Sequence, residues 1–283
     1  MPGVGEVTAH TRIRHLASAL LNRESPDKLR AYANYAEALK DSDSYEDPAL
    51  VDIVKEKTKR YRDSLASATS RTIGSRQLVQ NLLVLSYVDP QQPLDVMELG
   101  GACGASYFEL KQLVPNRLRH WSIVETAAMA AAGRTLNTDD PNLSFHADLS
   151  AAVDALKSRR LAIAQGVLQY TSDPLAVLQS LFALEFSYVY VTRTAVADVD
   201  APVFTRQETE LASHGPGRLP NAPPGKSSQP LTLVSLESLL SVVPANYELV
   251  FKFVESDDRF MSIGEHRVTV RDAGFLARLH AQH

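Results

Sequence analysis

LDVMELGGACG, residues 94–104, is an apolar run that ends in an acid and then breaks into three glycines within five residues. Leu94, Val96, Met97 and Leu99 read as a buried parallel strand, and Gly100, Gly101 and Gly104 as the tight turn that follows it. Ala105 to Val114 then has the apolar spacing of a helix. A strand, a glycine turn and a helix bring backbone N–H groups and a positive helix end up to a ligand, with no side chains blocking the approach. A small and partly anionic ligand is expected there.

Glycine turns serve several kinds of nucleotide site, so the neighbours of this one decide its reading. The dinucleotide pattern G-x-G-x-x-G is met only in part, by Gly100, Ala102 and Ala105. Glu98 lies at the end of the strand, where it would repel a pyrophosphate but hold a ligand ammonium. The stretch resembles the first motif of class I S-adenosylmethionine (SAM)-dependent methyltransferases, D/E-x-G-x-G-x-G, with Ala102 in place of the middle glycine and Gly101 added beside it.

Downstream of residue 93, strand and helix patterns alternate: strands at Trp121–Val124, Leu143–Phe145, Leu161–Ala164 and Tyr188–Val191, with helices at Ala127–Leu136, after Ser150, and from Asp173-Pro174 to Leu184. This alternation predicts a Rossmann-like α/β fold with helices on both faces of a mostly parallel sheet. Two closing strands, Glu248–Val254 and His266–Val270, are too close together for a helical crossover and are expected to be antiparallel. A mostly parallel sheet of seven strands with an antiparallel last strand is what the methyltransferase fold has, and it is not the usual end of a dehydrogenase domain.

Before that domain, residues 1–92 read as a helical N-terminal region. Ile13, Leu16, Ala17, Leu20 and Leu21 share one face of a helix over His10–Asn22, Ser25-Pro26 opens a second over Leu29–Leu39, and Asp47-Pro48 opens a long pattern reaching Val88 with a break near Gly74. The basic run Lys55, Lys57, Lys59, Arg60 and Arg62 reads as a solvated helix face, because Asp52, Glu56 and Asp63 are interspersed. Between Asp198 and Pro230 the proline- and glycine-rich composition predicts a long irregular acceptor-side loop within the 93–283 domain, acting as a lid or as mobile filler.

The chain of 283 residues is 45% hydrophobic and carries a net charge of −4, enough to bury a core and without the basic footprint of a nucleic-acid or anionic-membrane partner. One cysteine excludes an internal disulfide framework and fits a reducing compartment. No run is long and apolar enough to span a bilayer, and the first residues lack a signal-peptide pattern. The expectation is a cytoplasmic protein with no nucleic-acid partner and no membrane insertion; a homo-oligomer is left open.

The spacing of acids assigns further roles. Glu125, about twenty residues beyond Gly104, lies where a carboxylate accepts from both ribose hydroxyls, although it could instead serve the N-terminus of the helix at Ala127. Asp148 falls beside the expected adenine amino group or caps the next helix. Gln165 to Tyr170 and Arg193 stand at strand ends where the acceptor should lie, with Gln165 also expected to contact the cofactor. Tyr170 reads as a wall, a proton handler or a packed ring; Arg193 as an anion ligand or an ion-pair partner; His214 as a base or an exposed loop histidine. The histidines show no metal-ligand spacing, and no metal is expected. Cys103 is expected to pack inside the glycine turn.

A more particular resemblance rests on ELGGACGASYFELKQLVP, WSIVETAAMAAAG, GVLQYTSDP and YVYVTRTAV, with YANYAEALKDSDSYED upstream. These blocks are similar, in order and spacing, to a methyltransferase family commonly encoded in bacterial surface-polysaccharide (O-antigen) gene clusters, over about Tyr32 to Phe253. The resemblance implies SAM as cofactor, S-adenosylhomocysteine (SAH) as product, and in-line methyl transfer to an O or N atom of a small molecule or glycan precursor. The Asp198–Pro230 segment departs from that family in composition. Two other classes are a non-catalytic SAM- or SAH-binding partner protein and an NAD(P)-dependent oxidoreductase.

Overall fold

In the computed structural model, residues 28–67, 76–88 and 92–280 are described. The expected helix His10–Asn22, the start signal Ser25-Pro26 and the break at Gly74 lie outside them. The first described element is a strand, β1 (Lys28–Leu29), and helix α1 follows only at Tyr35–Lys40, in place of the helix expected from Leu29. The Asn34 side chain accepts from the Glu37 backbone N–H at 3.0 Å and so fixes the helix start. Upstream of it, the Tyr32 N–H is taken by the Phe204 carbonyl at 2.9 Å, which keeps that segment extended.

Helices α2 (Pro48–Ser67) and α3 (Arg76–Val88) come next. The Asp47 carboxylate accepts from the N–H groups of Ala49 and Leu50 and begins α2 as the Asp-Pro pair predicts. The α/β pattern then runs β2 (Leu94–Leu99), α4 (Ala105–Leu113), β3 (Leu118–Val124), α5 (Ala127–Leu136), β4 (Leu143–His146), α6 (Leu149–Asp154), β5 (Leu161–Gln165), α7 (Pro174–Ala183) and β6 (Tyr188–Ala197). All five strands are parallel, in the order β4-β3-β2-β5-β6. Strand β2 is the central one, and its first five residues are buried, as a strand covered on both faces by helices must be.

The segment expected to be an irregular loop is mostly a β-arm. Strands β7 (Val203–Glu210) and β8 (Lys226–Leu233) pair antiparallel along their whole length, from Val203 opposite Leu233 to Glu210 opposite Lys226. Pro230 is tolerated inside β8 because a two-stranded ribbon has two edges and needs only one row of N–H donors. Only residues 211–225 remain as the connecting loop. The arm is fastened to the N-terminal segment: Thr205 donates to the Arg30 carbonyl at 2.8 Å, and the Ser228 N–H donates to Asp43 at 2.8 Å.

Helix α8 (Leu236–Ser241) leads to β9 (Tyr247–Val254), β10 (Arg259–Ile263) and β11 (His266–Leu279). The last strand is antiparallel and lies between β6 and β9, so the sheet is mostly parallel with an antiparallel final strand. Beyond the expected seven strands, β1 and β10 extend the sheet to nine. Strand β11 is nearly three times the predicted length: residues 266–270 pair with β10, and residues 273–279 pair with β9.

Candidate functional site

Two adjoining cavities open at the carboxyl ends of β2, β3, β5 and β6, where an open parallel sheet binds ligands. One, of about 360 Å³, is mainly apolar and is lined by Leu99, Val124, Glu125, Met129 and Val167 among others. The second, of about 470 Å³, is polar and is lined by Glu98, Ser106, Glu109, Gln165, Arg193 and Thr209 among others. Gly100, Ala102, Gly166, Tyr170, His214 and Gly215 border both, as does Tyr45. Together they form one divided site of the size that takes a small-molecule cofactor with a neighbour.

The glycine turn forms the floor between them. Gly100 has φ +74°, and a Cβ there would come within 2.6 Å of the Val167 side chain. A Cβ on Gly101 would come within 2.7 Å of Glu98 Oε2, so the turn leaves a buried carboxylate uncovered from the cavity side. Ala102, at the middle glycine position of the motif, adopts φ +47°, a left-handed conformation that disfavours a side chain by about 1–2 kcal/mol. What offsets that strain is Glu125, whose Oε1 accepts from the Ala102 N–H at 2.9 Å while Oε2 accepts from the Thr126 N–H at 2.9 Å. The end of β3 thus clamps the turn that follows β2.

Glu125 lines the apolar cavity with each oxygen engaged once, and an ionised carboxylate has about four acceptor positions, so capacity remains for two ligand hydroxyls. Burial raises its pKa, and the two backbone N–H groups oppose that rise. Glu98 is 1% exposed and accepts from Trp121 Nε1 at 2.9 Å. Burial lifts its carboxyl to about 7, against the lowering effect of the hydrogen bonds from Trp121 and Ser106. Glu109, joined to the Tyr61 hydroxyl, is raised by burial as well. Three carboxylates raised chiefly by burial suit a ligand that brings positive charge.

Gln165 ends β5 at the polar cavity, where its Oε1 accepts from Asn81 at 3.3 Å. Tyr170 lies between the cavities, its hydroxyl donating to Gln207 Oε1 at 2.9 Å and its ring packed edge-on to Tyr45 at 5.3 Å. His214 sits in the short loop of the β-arm, with Nε2 at 2.9 Å from Thr209 Oγ1. Burial, then the charge of Lys57, lowers its pKa. Arg193 lines the polar cavity at a left-handed residue of β6.

Asp148 is placed elsewhere. It is exposed, lines neither cavity, and accepts from the Ala151 N–H at 2.8 Å as the N-cap of α6, taking the place expected for Ser150. Cys103 is buried under the turn beside Met129, and burial raises its thiol to about 12, so it stays protonated. Among the described residues no group of three His, Cys, Asp or Glu could hold a metal ion, and no helix is long and apolar enough to cross a membrane.

Tyr45, Glu109 and Thr209 are lining residues that sequence reasoning did not single out. Only Tyr45 carried a signal, as an aromatic just ahead of the Asp47 cap. Lys57, expected on a solvated face, is 2% exposed and donates to the Ala212 carbonyl at 2.8 Å, tying α2 to the loop that carries His214. Its neighbour Arg60 does stay on the surface, paired with Glu56.

No family model matches the chain, and no curated protein matches it. Among solved structures, the chain is similar to the CcbJ methyltransferase from Streptomyces caelestis, at 15% identity over 78% of this chain and 96% of that one, with a TM-score of 0.45. It is similar also to a SAM-dependent methyltransferase from Clostridium acetobutylicum, at 10% identity over 80% and 99% of the two chains, with a TM-score of 0.47. A third is SAM-bound CalS10, an amino pentose methyltransferase from Micromonospora echinaspora involved in calicheamicin biosynthesis, at 13% identity over 69% and 89%, with a TM-score of 0.40.

Proposed function

We propose that this chain is a SAM-dependent methyltransferase that moves a methyl group to an O or N atom of a small molecule or glycan precursor by in-line displacement. The observation that carries the reading is the clamped glycine turn, with buried Glu98 on one side and Glu125 on the other, opening into a divided cavity. The residues fit the cofactor by their chemistry. The apolar cavity suits an adenosine, with Glu125 accepting from the ribose diol. The polar cavity suits an amino-acid tail, with Glu98 facing its ammonium across Gly101.

When bound, SAM supplies a methyl group on a positively charged sulfur, already activated for attack. The protein's task is then to align the acceptor, exclude water and manage one proton. Tyr45 and Tyr170 wall the junction of the cavities. His214 is the proton acceptor in this reading: its lowered pKa keeps it neutral near pH 7, and with Nε2–H donated to Thr209, Nδ1 is left to take a proton from an acceptor hydroxyl or ammonium. Gln165 serves the cofactor tail and Arg193 the acceptor.

Residues 93–283 are the cofactor domain on this reading, and the region before them lines the site through Tyr45, Leu50 and Val54. A bacterial, cytoplasmic setting and a glycan-precursor acceptor follow from the resemblance of the four sequence blocks to the surface-polysaccharide family. Calorimetric titration with SAM, SAH and NADH in parallel tests the proposal. Micromolar binding of the first two without the third is expected; binding of NADH alone overturns it.

A further inference from the structure

We propose that the polar cavity holds its acceptor by an anionic group, a carboxylate or a phosphate, through the Arg193 guanidinium. This inference rests on the methyltransferase reading only for the word acceptor; the anion subsite itself stands on geometry.

Arg193 is one of four non-glycine residues with positive φ among the described residues, at +53°. A left-handed arginine is strained and persists only where its surroundings impose it. Those surroundings are explicit. The buried Glu255 carboxylate accepts from the Arg193 backbone N–H and, at 2.7 Å, from the Thr192 hydroxyl, while Gln169 Nε2 donates to the Arg193 carbonyl at 3.3 Å. The backbone is therefore held on both sides at the residue where β6 reaches the cavity.

The side chain is left for something else. The guanidinium carbon lies 3.9 Å from where a Cβ on Gly166 would sit, so the charged head lies over the shared floor of the two cavities. None of the ten ion pairs and none of the side-chain hydrogen bonds of the described residues uses the Arg193 guanidinium, whereas Arg117, Arg134, Arg159 and Arg206, also outside ion pairs, donate to backbone carbonyls. An arginine that only stabilised the sheet end would be expected to take an acid or a carbonyl as those do. Its planar fork matches a carboxylate or a phosphate.

Charge is also divided along the cavity. Glu98 and Glu109 line it together with Ser106 on the glycine-turn side, whereas Arg193, Thr209 and His214 line it from β6 and the β-arm. The cofactor's ammonium at the first and the acceptor's anion at the second would both be compensated.

The test titrates SAH-saturated protein with glucuronate, glucose 6-phosphate and neutral glucose, for wild type, Arg193→Gln and Arg193→Lys. One or both anionic sugars should bind wild type at least about tenfold tighter than glucose, with the preference lost in Arg193→Gln and partly kept in Arg193→Lys. Whichever anionic sugar binds better identifies the source of the charge. SAH affinity should stay within about twofold in both variants. The proposal is overturned if glucose binds as well as its charged forms, or if Arg193→Gln keeps the preference. It is equally overturned if that variant loses SAH affinity about tenfold, since the guanidinium would then belong to the cofactor's carboxylate. Should wild type fail to bind SAH, the cofactor reading fails separately. Inorganic phosphate titrated into the protein alone then decides the subsite: binding lost in Arg193→Gln supports it, and binding equal in both, or absent from wild type, refutes it.

Discussion

Glu98→Gln isolates the effect of a single buried charge. In the folded protein its carboxyl is raised to about 7, chiefly by burial, against an ordinary value of 4.5. Between those values the folded state holds a proton that the unfolded state releases, so ν_U − ν_N is near −1 and unfolding free energy falls as pH rises. The slope is about 1.4 kcal/mol per pH unit, and across the window the loss reaches about 3 kcal/mol. Glutamine keeps the shape and an oxygen for the Trp121 indole N–H, but it does not titrate. The gap between variant and wild type should therefore widen in the variant's favour from about pH 5 to pH 7 and level off above. Urea unfolding midpoints and m-values of both proteins at half-unit steps give that difference directly. SAM binding should move oppositely: wild-type affinity rises with pH up to about 7, as the ionised carboxylate gains its cationic partner, and the Glu98→Gln profile is flatter. Unfolding curves that stay parallel over the whole range would refute the burial argument, whatever happened to binding.

Glu125→Gln removes the acceptor facing one of the two backbone N–H groups and would weaken the proposed ribose contact. SAM affinity should fall by about 1.5–3 kcal/mol, or roughly 10- to 150-fold by calorimetry, in a protein that still unfolds cooperatively. Gly100→Ala forces a Cβ against Val167 at a left-handed residue, and thermal melts should show a loss of about 2–4 kcal/mol together with lost SAM binding. Asp148→Ala removes the cap of α6 and should cost about 1 kcal/mol of stability while leaving SAM affinity within about twofold; a tenfold loss would return this residue to the adenine site.

The architecture was legible where local chemistry and tertiary environment agree. Leu94, Val96, Met97 and Leu99 are apolar because helices cover both faces of β2, and Asp173-Pro174 starts α7 because the aspartate caps the very turn that proline begins. The β-arm was not legible: its strands hold polar residues and a proline, and what makes them strands is pairing with each other and fastening to Arg30 and Asp43, which are far away in sequence. The helix expected from Leu29 failed for the same reason, because pairing with Phe204 and Ile263 outweighs local helical propensity.

The site divides along the same line. Sequence by itself determined the glycine turn, the acids at the ends of β2 and β3 and the succession of strands and helices along the chain, since each follows from side-chain chemistry within a few residues of the backbone it serves. Tertiary structure alone decided that Glu125 clamps Ala102, that Tyr45 lines both cavities, that Lys57 ties α2 to the loop carrying His214, and that Arg193 takes part in no ion pair of the described residues. Those are decisions about which distant groups share a small, partly dehydrated volume, and burial there is what sets the acids' pKa values and the strength of every charge in the cavity.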